Sequence, residues 1–590
     1  MTTDEIQTGH AVVEEHGVAV PMRDGVRLSA DVWRPATNLP VPVLICRTPY
    51  GKQMVALMAA PELLAASGFA VVLQDCRGRF ESEGDWTYVH SEVADGYDTV
   101  EWAAAQPWSN GRVGVFGASY MGYTQWLAAI AQPPHLEAML PECCPADYWS
   151  ASFGPGGSLR LATRIGWTAS VVASMAPQWG IEDAQLDQVR EAGLAVRAAL
   201  AADDAAGVRA ARLRAKQVLD EVYRIRPLAG NPLWHDRASW LAEIFEHERR
   251  DDANWRRVNP ATHYNVVDLP AVHVGGWYDI HLDGILANFT GMVRQAPTQR
   301  ARQAQRLIVG PWAHWLPVSS VVGSVDFGPD AVLDVTALRR DWFGAWLQDG
   351  PSPALAPVRL FVMGENVWRD EQEWPLARTR YTPWYLHAGG GLRPDAPAPG
   401  EAPDEFVHDP ADPVPTVGGR LLGTGEFSGP YDQSAVGERA DVLCYTSAPL
   451  TAPMELTGPV RALLWASTDA ADTDFAAVLI DVHPDGTAIN LCEGLVRARH
   501  TGLPQPLAAG AVYGYAIDLI ATSVLLPAGH RLRVHVSSSS FPEWEPNPGT
   551  GQPLGTDRDS DLRQARQAVY HDPRHPSQLI LPVIPRDAPG

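Results

Sequence analysis

The stretch Arg112-Val113-Gly114-Val115-Phe116-Gly117-Ala118-Ser119-Tyr120-Met121-Gly122 restricts the fold more than any other part of the chain. An apolar strand pattern runs into a glycine-flanked serine, and a helical pattern follows over residues 124–130. This reads as a nucleophile elbow, a turn that forces the serine hydroxyl out at the carboxyl edge of a sheet. Gly117 and Gly122 allow the tight turn and a close helix, and the amide after the serine faces the reacting oxygen. Gly-x-Ser alone occurs by chance in long chains. The strand before it and the helix after it carry the reading.

The surrounding pattern supplies the sheet. Near the amino end, strand-like residues 18–22 and 26–33 flank Arg23-Asp24-Gly25, a hairpin signal. Apolar strands at 41–46, 70–75 and 138–141 alternate with helices expected at 57–67 and 91–106, which means a mostly parallel sheet. From 146 to 245 no strand is expected. Ala-, Leu- and Arg-rich segments, from 186 onward and over 210–225, have helical spacing instead. They read as a helical insertion that caps the serine edge, or as a plain extra helical unit. The sheet resumes at 271–276 and 306–310 and ends with a helix at 333–347, stopped by Asp349-Gly350-Pro351. Short strands at 358–362, 462–465, 475–482 and 532–536 then indicate a β-sandwich or jelly roll, with the Pro/Gly-rich 389–415 as a loop inside it. The fold class is therefore α/β: an α/β-hydrolase domain over 1–145 and 246–355, a helical cap over 146–245 and a carboxy-terminal β domain over 356–590.

Bulk properties exclude several classes. A chain of 590 residues is too long for one core, so two or three domains are expected. Sixty-nine acidic against 46 basic residues give a net charge of −23, which repels nucleic acid and anionic membranes alike. No apolar run approaches the roughly 18 residues of a membrane span. Met1-Thr2-Thr3-Asp4-Glu5-Ile6 has neither the basic nor the apolar part of a signal peptide, so a cytoplasmic protein is expected. Cys46, Cys76, Cys143, Cys144, Cys444 and Cys492 lack metal-type spacing and read as buried free thiols. No metal cluster, phosphate loop or dinucleotide fingerprint stands out, so no metal and no cofactor is expected. The oligomeric state stays open, a homodimer included.

A serine hydroxyl needs a base, and the base needs an orienting acid. In α/β-hydrolases the chain order is Ser, then Asp or Glu, then His. After the helical insertion the strand through Val272-His273-Val274 runs into Gly275-Gly276-Trp277-Tyr278-Asp279, which puts Asp279 on the sheet edge of Ser119. The next strand leads into Gly310-Pro311-Trp312-Ala313-His314, where a loop histidine can swing over that edge. Asp279 and His314 are the expected acid and base. Asp283 competes with Asp279 but falls one helical turn later, and His273 and His281 lie close to the acid. The oxyanion needs two donors. The Tyr120 amide is one candidate, and the Tyr50 hydroxyl, on the loop Arg47-Thr48-Pro49-Tyr50-Gly51, is the other.

These segments, together with Gln74-Asp75-Cys76-Arg77-Gly78-Arg79, Leu360-Phe361-Val362-Met363-Gly364, Trp368-Arg369-Asp370-Glu371 and Asp472-Thr473-Asp474-Phe475, resemble the cocaine esterase (CocE/NonD) family of serine hydrolases, related to the X-Pro dipeptidyl-peptidases. The likeness implies an α/β-hydrolase with a helical cap and a jelly roll. It also implies Ser119, Asp279 and His314 as the triad, with Tyr50 and the Tyr120 amide as oxyanion hole. Amino-acid-ester relatives carry acidic residues just after the triad aspartate to hold an ammonium, whereas here the stretch is Ile280-His281-Leu282. Ser152 and His281 stand where the family's aryl-ester pockets have bulky rings, and Trp167 remains as a wall. A roomier or more polar acyl pocket follows, and cocaine becomes a doubtful substrate.

The leading expectation is a carboxylic-ester hydrolase that works through an acyl-enzyme on a small-molecule ester. An amidase, acylase or X-Pro dipeptidyl-peptidase would use the same triad on an amide. A carbohydrate-binding protein with an inactive hydrolase unit is the alternative of another class.

Overall fold

The computed structural model describes residues 9–585, apart from 203, 232, 235–237, 315–318, 352–353 and 423–426. Its first ten-stranded sheet begins with the expected hairpin, β1 (Val12–Pro21) and β2 (Arg27–Pro35), closed through Asp24-Gly25 with Gly25 at φ 87°. The sheet continues with β3 (Val41–Thr48), β4 (Ala70–Asp75), β5 (Ser109–Ala118), β6 (Leu136–Glu142), β7 (Ala271–Tyr278), β8 (Gln305–Ala313), β9 (Val358–Val362) and β10 (Val367–Glu371). The spatial order is β1-β2-β4-β3-β5-β6-β7-β8-β9-β10. Neighbours from β4 through β9 are parallel, while β1, β2 and β10 join antiparallel at the edges. Every residue of β4 and β7 is buried, as expected of strands covered by helices on both faces.

Helices α1 (Lys52–Ala59), α2 (Pro61–Ala66), α3 (Glu92–Ala104) and α4 (Tyr120–Ile130) cross between these strands. Three local expectations need correction. The single helix at 57–67 is two helices, because Pro61 cannot continue α1 and Ala60 turns left-handed at φ 50° between them. The helix after the serine starts at Tyr120, directly on the turn, rather than at 124. The strand at 358–362, assigned from its pattern to the carboxy-terminal β domain, pairs in parallel with β8, and β10 pairs with it in turn. A short apolar strand has the same periodicity in either sheet, so pattern alone does not tell which sheet it joins.

Among the described residues, 146–245 contains helices and no strand. It holds α5 (Tyr148–Phe153), a π-helical turn (Ala162–Gly166) that runs into α6 (Trp167–Trp179), α7 (Ala184–Ala201), α8 (Ala205–Tyr223) and α9 (Ser239–Glu246). Gly166 has no alternative here, because a Cβ would lie 2.4 Å from the Tyr223 hydroxyl of α8. The main chain re-enters the sheet at β7 and adds α10 (Leu282–Gln295) and α11 (Val335–Leu347).

Residues from Arg380 onward build the second, twelve-stranded unit, whose longest pair is Met454–Thr468 against Tyr513–Leu526. The two units share one core. A continuous apolar cluster runs from Trp277, Leu282 and Ile285 to Leu456, Phe475 and Val534. The backbone crosses the same boundary, with Met363 N–H donating to Ser523 O at 3.0 Å and Leu525 N–H to Met363 O at 2.8 Å. All six thiols are free, and all but the half-buried Cys444 are buried. Among the described residues no helix is long and apolar enough to cross a membrane.

One buried ion pair ties β6 to α11. Arg339 reaches both Glu142 carboxylate oxygens, at 2.8 and 2.7 Å, and stacks 4.9 Å from the Phe116 ring centroid. Both side chains are excluded from water, so removing one leaves the other charge stranded. Arg339→Met should cost about 3–5 kcal/mol of stability. The Glu142→Gln/Arg339→Met double variant should recover much of that loss in the same denaturant titration.

Candidate active site

Ser119 occupies the turn between β5 and α4 with φ 61° and ψ −122°. That left-handed backbone is strained for a serine and is held from several sides. Its N–H donates to the Glu142 carbonyl at 2.9 Å, at the end of the strand that the Arg339 pair anchors. Gly117, at φ 131°, could not carry a Cβ, which would lie 2.7 Å from that of Met121. A Cβ on Gly122 would lie 2.7 Å from the Cys144 Cβ and 2.9 Å from the Glu142 carbonyl oxygen.

The residues expected around this serine converge on it. His314 follows the end of β8, with Nε2 2.8 Å from Ser119 Oγ and Nδ1 2.9 Å from Asp279 Oδ1. Asp279 follows the last residue of β7 and is fully buried. Its Oδ1 also accepts the His281 N–H at 2.8 Å, which fixes the carboxylate against its own loop. With Nδ1–H donated to Asp279, the Nε2 lone pair is free to take the serine proton. Asp283 lies in the first turn of α10; burial pushes its carboxyl up, against the charges of Arg160 and Arg420. The strand-end residue, not the helical one, meets the histidine.

Tyr50 lies on the loop after β3, which is shaped by a Tyr50 N–H bond to Thr48 Oγ1 at 3.0 Å and by Gly51 at φ 90°. Its hydroxyl accepts the Trp167 indole N–H at 3.1 Å. Burial pushes the Tyr50 phenol up to about 12, while hydrogen bonds with Trp167 and Ser119 act against that rise. The hydroxyl therefore stays protonated and remains a donor near neutral pH. Tyr120 is the first residue of α4, so its amide has no acceptor within the helix and sits at the positive end of the dipole. The Tyr120 side chain turns away, and its hydroxyl donates to Glu92 at 3.1 Å.

The expected pocket residues divide. Trp167 stacks on Tyr120 at a centroid distance of 6.3 Å and 15°, and belongs to a pack with Trp86 and Tyr88. His281 stands edge-on to His314, 5.2 Å between centroids, and is buried. Burial, then the neighbouring His314, hold its pKa well below the usual histidine range, so the ring is neutral. Ser152 is corrected: it is fully buried, and its hydroxyl donates to the Tyr148 carbonyl one turn back at 2.8 Å. Its donor is used inside α5 and is not offered to a substrate.

Two neighbours had no role in the sequence reading. Arg79 is fully buried; its Nε donates to the Pro49 carbonyl at 2.8 Å and its Nη2 to Ser174 Oγ of α6 at 3.0 Å. It lies 4.7 Å from the Trp86 centroid, and burial pulls its guanidinium down to about 10. The residue before Tyr50 is thereby tied to α6 of the helical insertion. Cys143, just past β6, has φ 47° and donates its N–H to Val274 O at 2.8 Å. Its thiol reaches the acid, although the sequence separates the two by more than a hundred residues. Only the motif around Arg79 carried a signal in the sequence.

Comparison with known proteins shows the family. The X-Pro dipeptidyl-peptidase (S15 family) model matches residues 24–315, and the X-Pro dipeptidyl-peptidase C-terminal non-catalytic domain matches 353–580. Cocaine esterase of Rhodococcus sp. (strain MB1 Bresler) is 37% identical over 96% of this chain and 98% of its own. The chain belongs to the cocaine esterase (CocE/NonD) family of serine hydrolases. A solved α-amino acid ester hydrolase is 26% identical, with a TM-score of 0.78 over 99% of this chain and 98% of the other. An aminopeptidase from a marine sediment Thaumarchaeota archaeon, 24% identical over 99% and 98% of the two chains, shares the fold with a TM-score of 0.78. This chain is accordingly a serine hydrolase with an α/β-hydrolase unit and a carboxy-terminal β unit.

The Arg79 contacts lead to a double-variant experiment. If the Tyr50 hydroxyl receives the oxyanion, Arg79→Met should lower kcat by roughly tenfold or more, because the donor is displaced rather than deleted. Combined with Tyr50→Phe it should add little to the loss from Tyr50→Phe alone, because both changes act on one hydroxyl. Additive losses would separate Arg79 from Tyr50.

Proposed function

We propose that the protein is a carboxylesterase that cleaves small uncharged esters through an acyl-enzyme on Ser119. The observation that carries the reading is the unbroken Ser119–His314–Asp279 hydrogen-bond relay on a strained turn. Ser119 Oγ attacks the ester carbonyl while His314 Nε2 takes its proton. Asp279 keeps the other imidazole proton on Nδ1 and stabilises the imidazolium that forms. The Tyr120 amide and the Tyr50 hydroxyl receive the developing oxyanion. His314 then protonates the leaving alcohol, and a water activated by the same histidine releases the acid.

The acyl pocket favours substrates without an ammonium group. Ile280-His281-Leu282 presents no carboxylate beside Asp279, and the neutral His281 ring offers no countercharge. A polar imidazole beside the base also suits acyl groups more polar than a plain aryl ring. The name of the Rhodococcus relative supports ester cleavage in general, not cocaine as the substrate here.

A fluorophosphonate probe should label Ser119, and Ser119→Ala should lose labelling together with on the order of a million-fold in turnover. Asp279→Asn should cost on the order of ten-thousand-fold, with Asp283→Asn close to wild type. Tyr50→Phe should lower kcat by about a hundred- to a thousand-fold with KM little changed. Retention of more than a few per cent of activity by Ser119→Ala would overturn the mechanism.

Specificity has its own test. His281→Phe should raise kcat/KM for benzoyl esters relative to short hydroxyacyl esters by about tenfold, the scale of one altered pocket contact. An unchanged ratio would remove His281 from the acyl pocket.

A further inference from the structure

We propose that Cys143, Asp279 and His314 form a latent site for a thiophilic divalent cation, zinc or cadmium, whose occupation switches hydrolysis off reversibly. The inference rests on the triad reading above and goes beyond it. A Cys143 Sγ, an Asp279 carboxylate oxygen and a His314 ring nitrogen all lie within 4.8 Å of one another, and all three residues are buried. Thiolate, imidazole and carboxylate together suit zinc and its softer congener cadmium.

One further observation bears on a ligand there. Asp279 is completely buried, and its second oxygen, Oδ2, has no N–H or O–H partner; the Cys143 thiol is the group that reaches the carboxylate. Buried carboxylate oxygens normally find a partner. The Cys143 main chain is tied to β7 by its N–H bond to the Val274 carbonyl.

The chemistry of occupation follows from proton positions. The cation takes the Cys143 thiolate, one Asp279 oxygen and the lone pair of the His314 nitrogen that faces Asp279. The thiol proton goes to solvent, and no electron is transferred. Two negative ligands cancel the charge of the cation, so the buried cluster carries no net charge. The imidazole remains neutral, but its proton can no longer reside on Nδ1 and resides on Nε2. That tautomer presents N–H, not a lone pair, to Ser119 and cannot accept the serine proton. Inhibition thus comes from a tautomer switch, with the substrate pocket left open.

A second cluster must be kept apart in any test. On the β unit, Asp481 meets His530 Nδ1 at 2.8 Å and His483 Nε2 at 3.4 Å. It lacks a thiolate and lies outside the catalytic site, so a cation there alters neither thiolate absorbance nor turnover.

The test uses the full-length chain, stripped of metal, in a Cys444→Ser background that removes the half-buried thiol. Cadmium is titrated while ester hydrolysis and the cadmium–thiolate charge-transfer band in the ultraviolet are recorded. The starting protein should lose activity as the band grows to one equivalent, and excess EDTA should reverse both. Cys143→Ala should lack the band and need more than about a hundred-fold more cadmium for the same fractional inhibition, since loss of a ligand exceeds the ten- to hundred-fold cost of losing an outer-shell partner. Cys143→Ser, nearly isosteric with a harder ligand atom, serves if the alanine variant folds poorly. Ser119→Ala, which turns over nothing, should keep the band. Equal inhibition of the Cys143 variants and their parent, or no band in the parent, overturns the proposal. A parent that shows no ester hydrolysis overturns the triad reading instead, and the absorbance still decides the metal site.

Discussion

Ser119 is held in a left-handed backbone, at φ 61°, that an L-serine adopts only under constraint, at a cost of about 1–3 kcal/mol. The rest of the site is arranged around that one residue. Gly117 and Gly122 clear the space that the turn requires, and the Glu142 carbonyl takes the serine amide. The Glu142 side chain is in turn neutralised by Arg339, which reaches across from α11. Strain in the turn is therefore matched by a buried ion pair two steps away. The hydroxyl that results points at His314 without any movement of the sheet.

The oxyanion side is organised differently. Tyr50 is on a loop, and loops do not hold a hydroxyl in place by themselves. Arg79 supplies the fixation by gripping the Pro49 carbonyl with one nitrogen and Ser174 of the cap with another. Trp167, also from the cap, holds the Tyr50 hydroxyl at 3.1 Å. The helical insertion thus fixes the position of the Tyr50 hydroxyl.

Much of this was legible in the sequence because strands and elbows leave local patterns. The Gly-x-Ser turn, the Asp at the end of one strand and the His at the end of the next are all read from what precedes and follows them. Pro61 was equally visible, and it breaks the helix that apolar spacing alone suggests. The membership of Val358–Val362 was not legible, because a strand's periodicity is silent about its partner. Ser152 was misjudged for a related reason: position in the chain does not reveal that a serine hydroxyl is bound to the carbonyl one turn earlier. Arg79 and Cys143 act through contacts between segments far apart in the chain, and no window of sequence contains both partners.

The shared core between the two units has a consequence for the loop that carries Asp279. Tyr278, the residue before Asp279, donates its hydroxyl to the Asn490 carbonyl of the β unit at 3.0 Å, and Trp277 sits in the apolar cluster common to both. The orientation of the triad acid is thus set partly by a unit that contributes none of the reacting groups. A change at Asn490 or in that apolar cluster therefore reaches the acid loop without touching the serine turn.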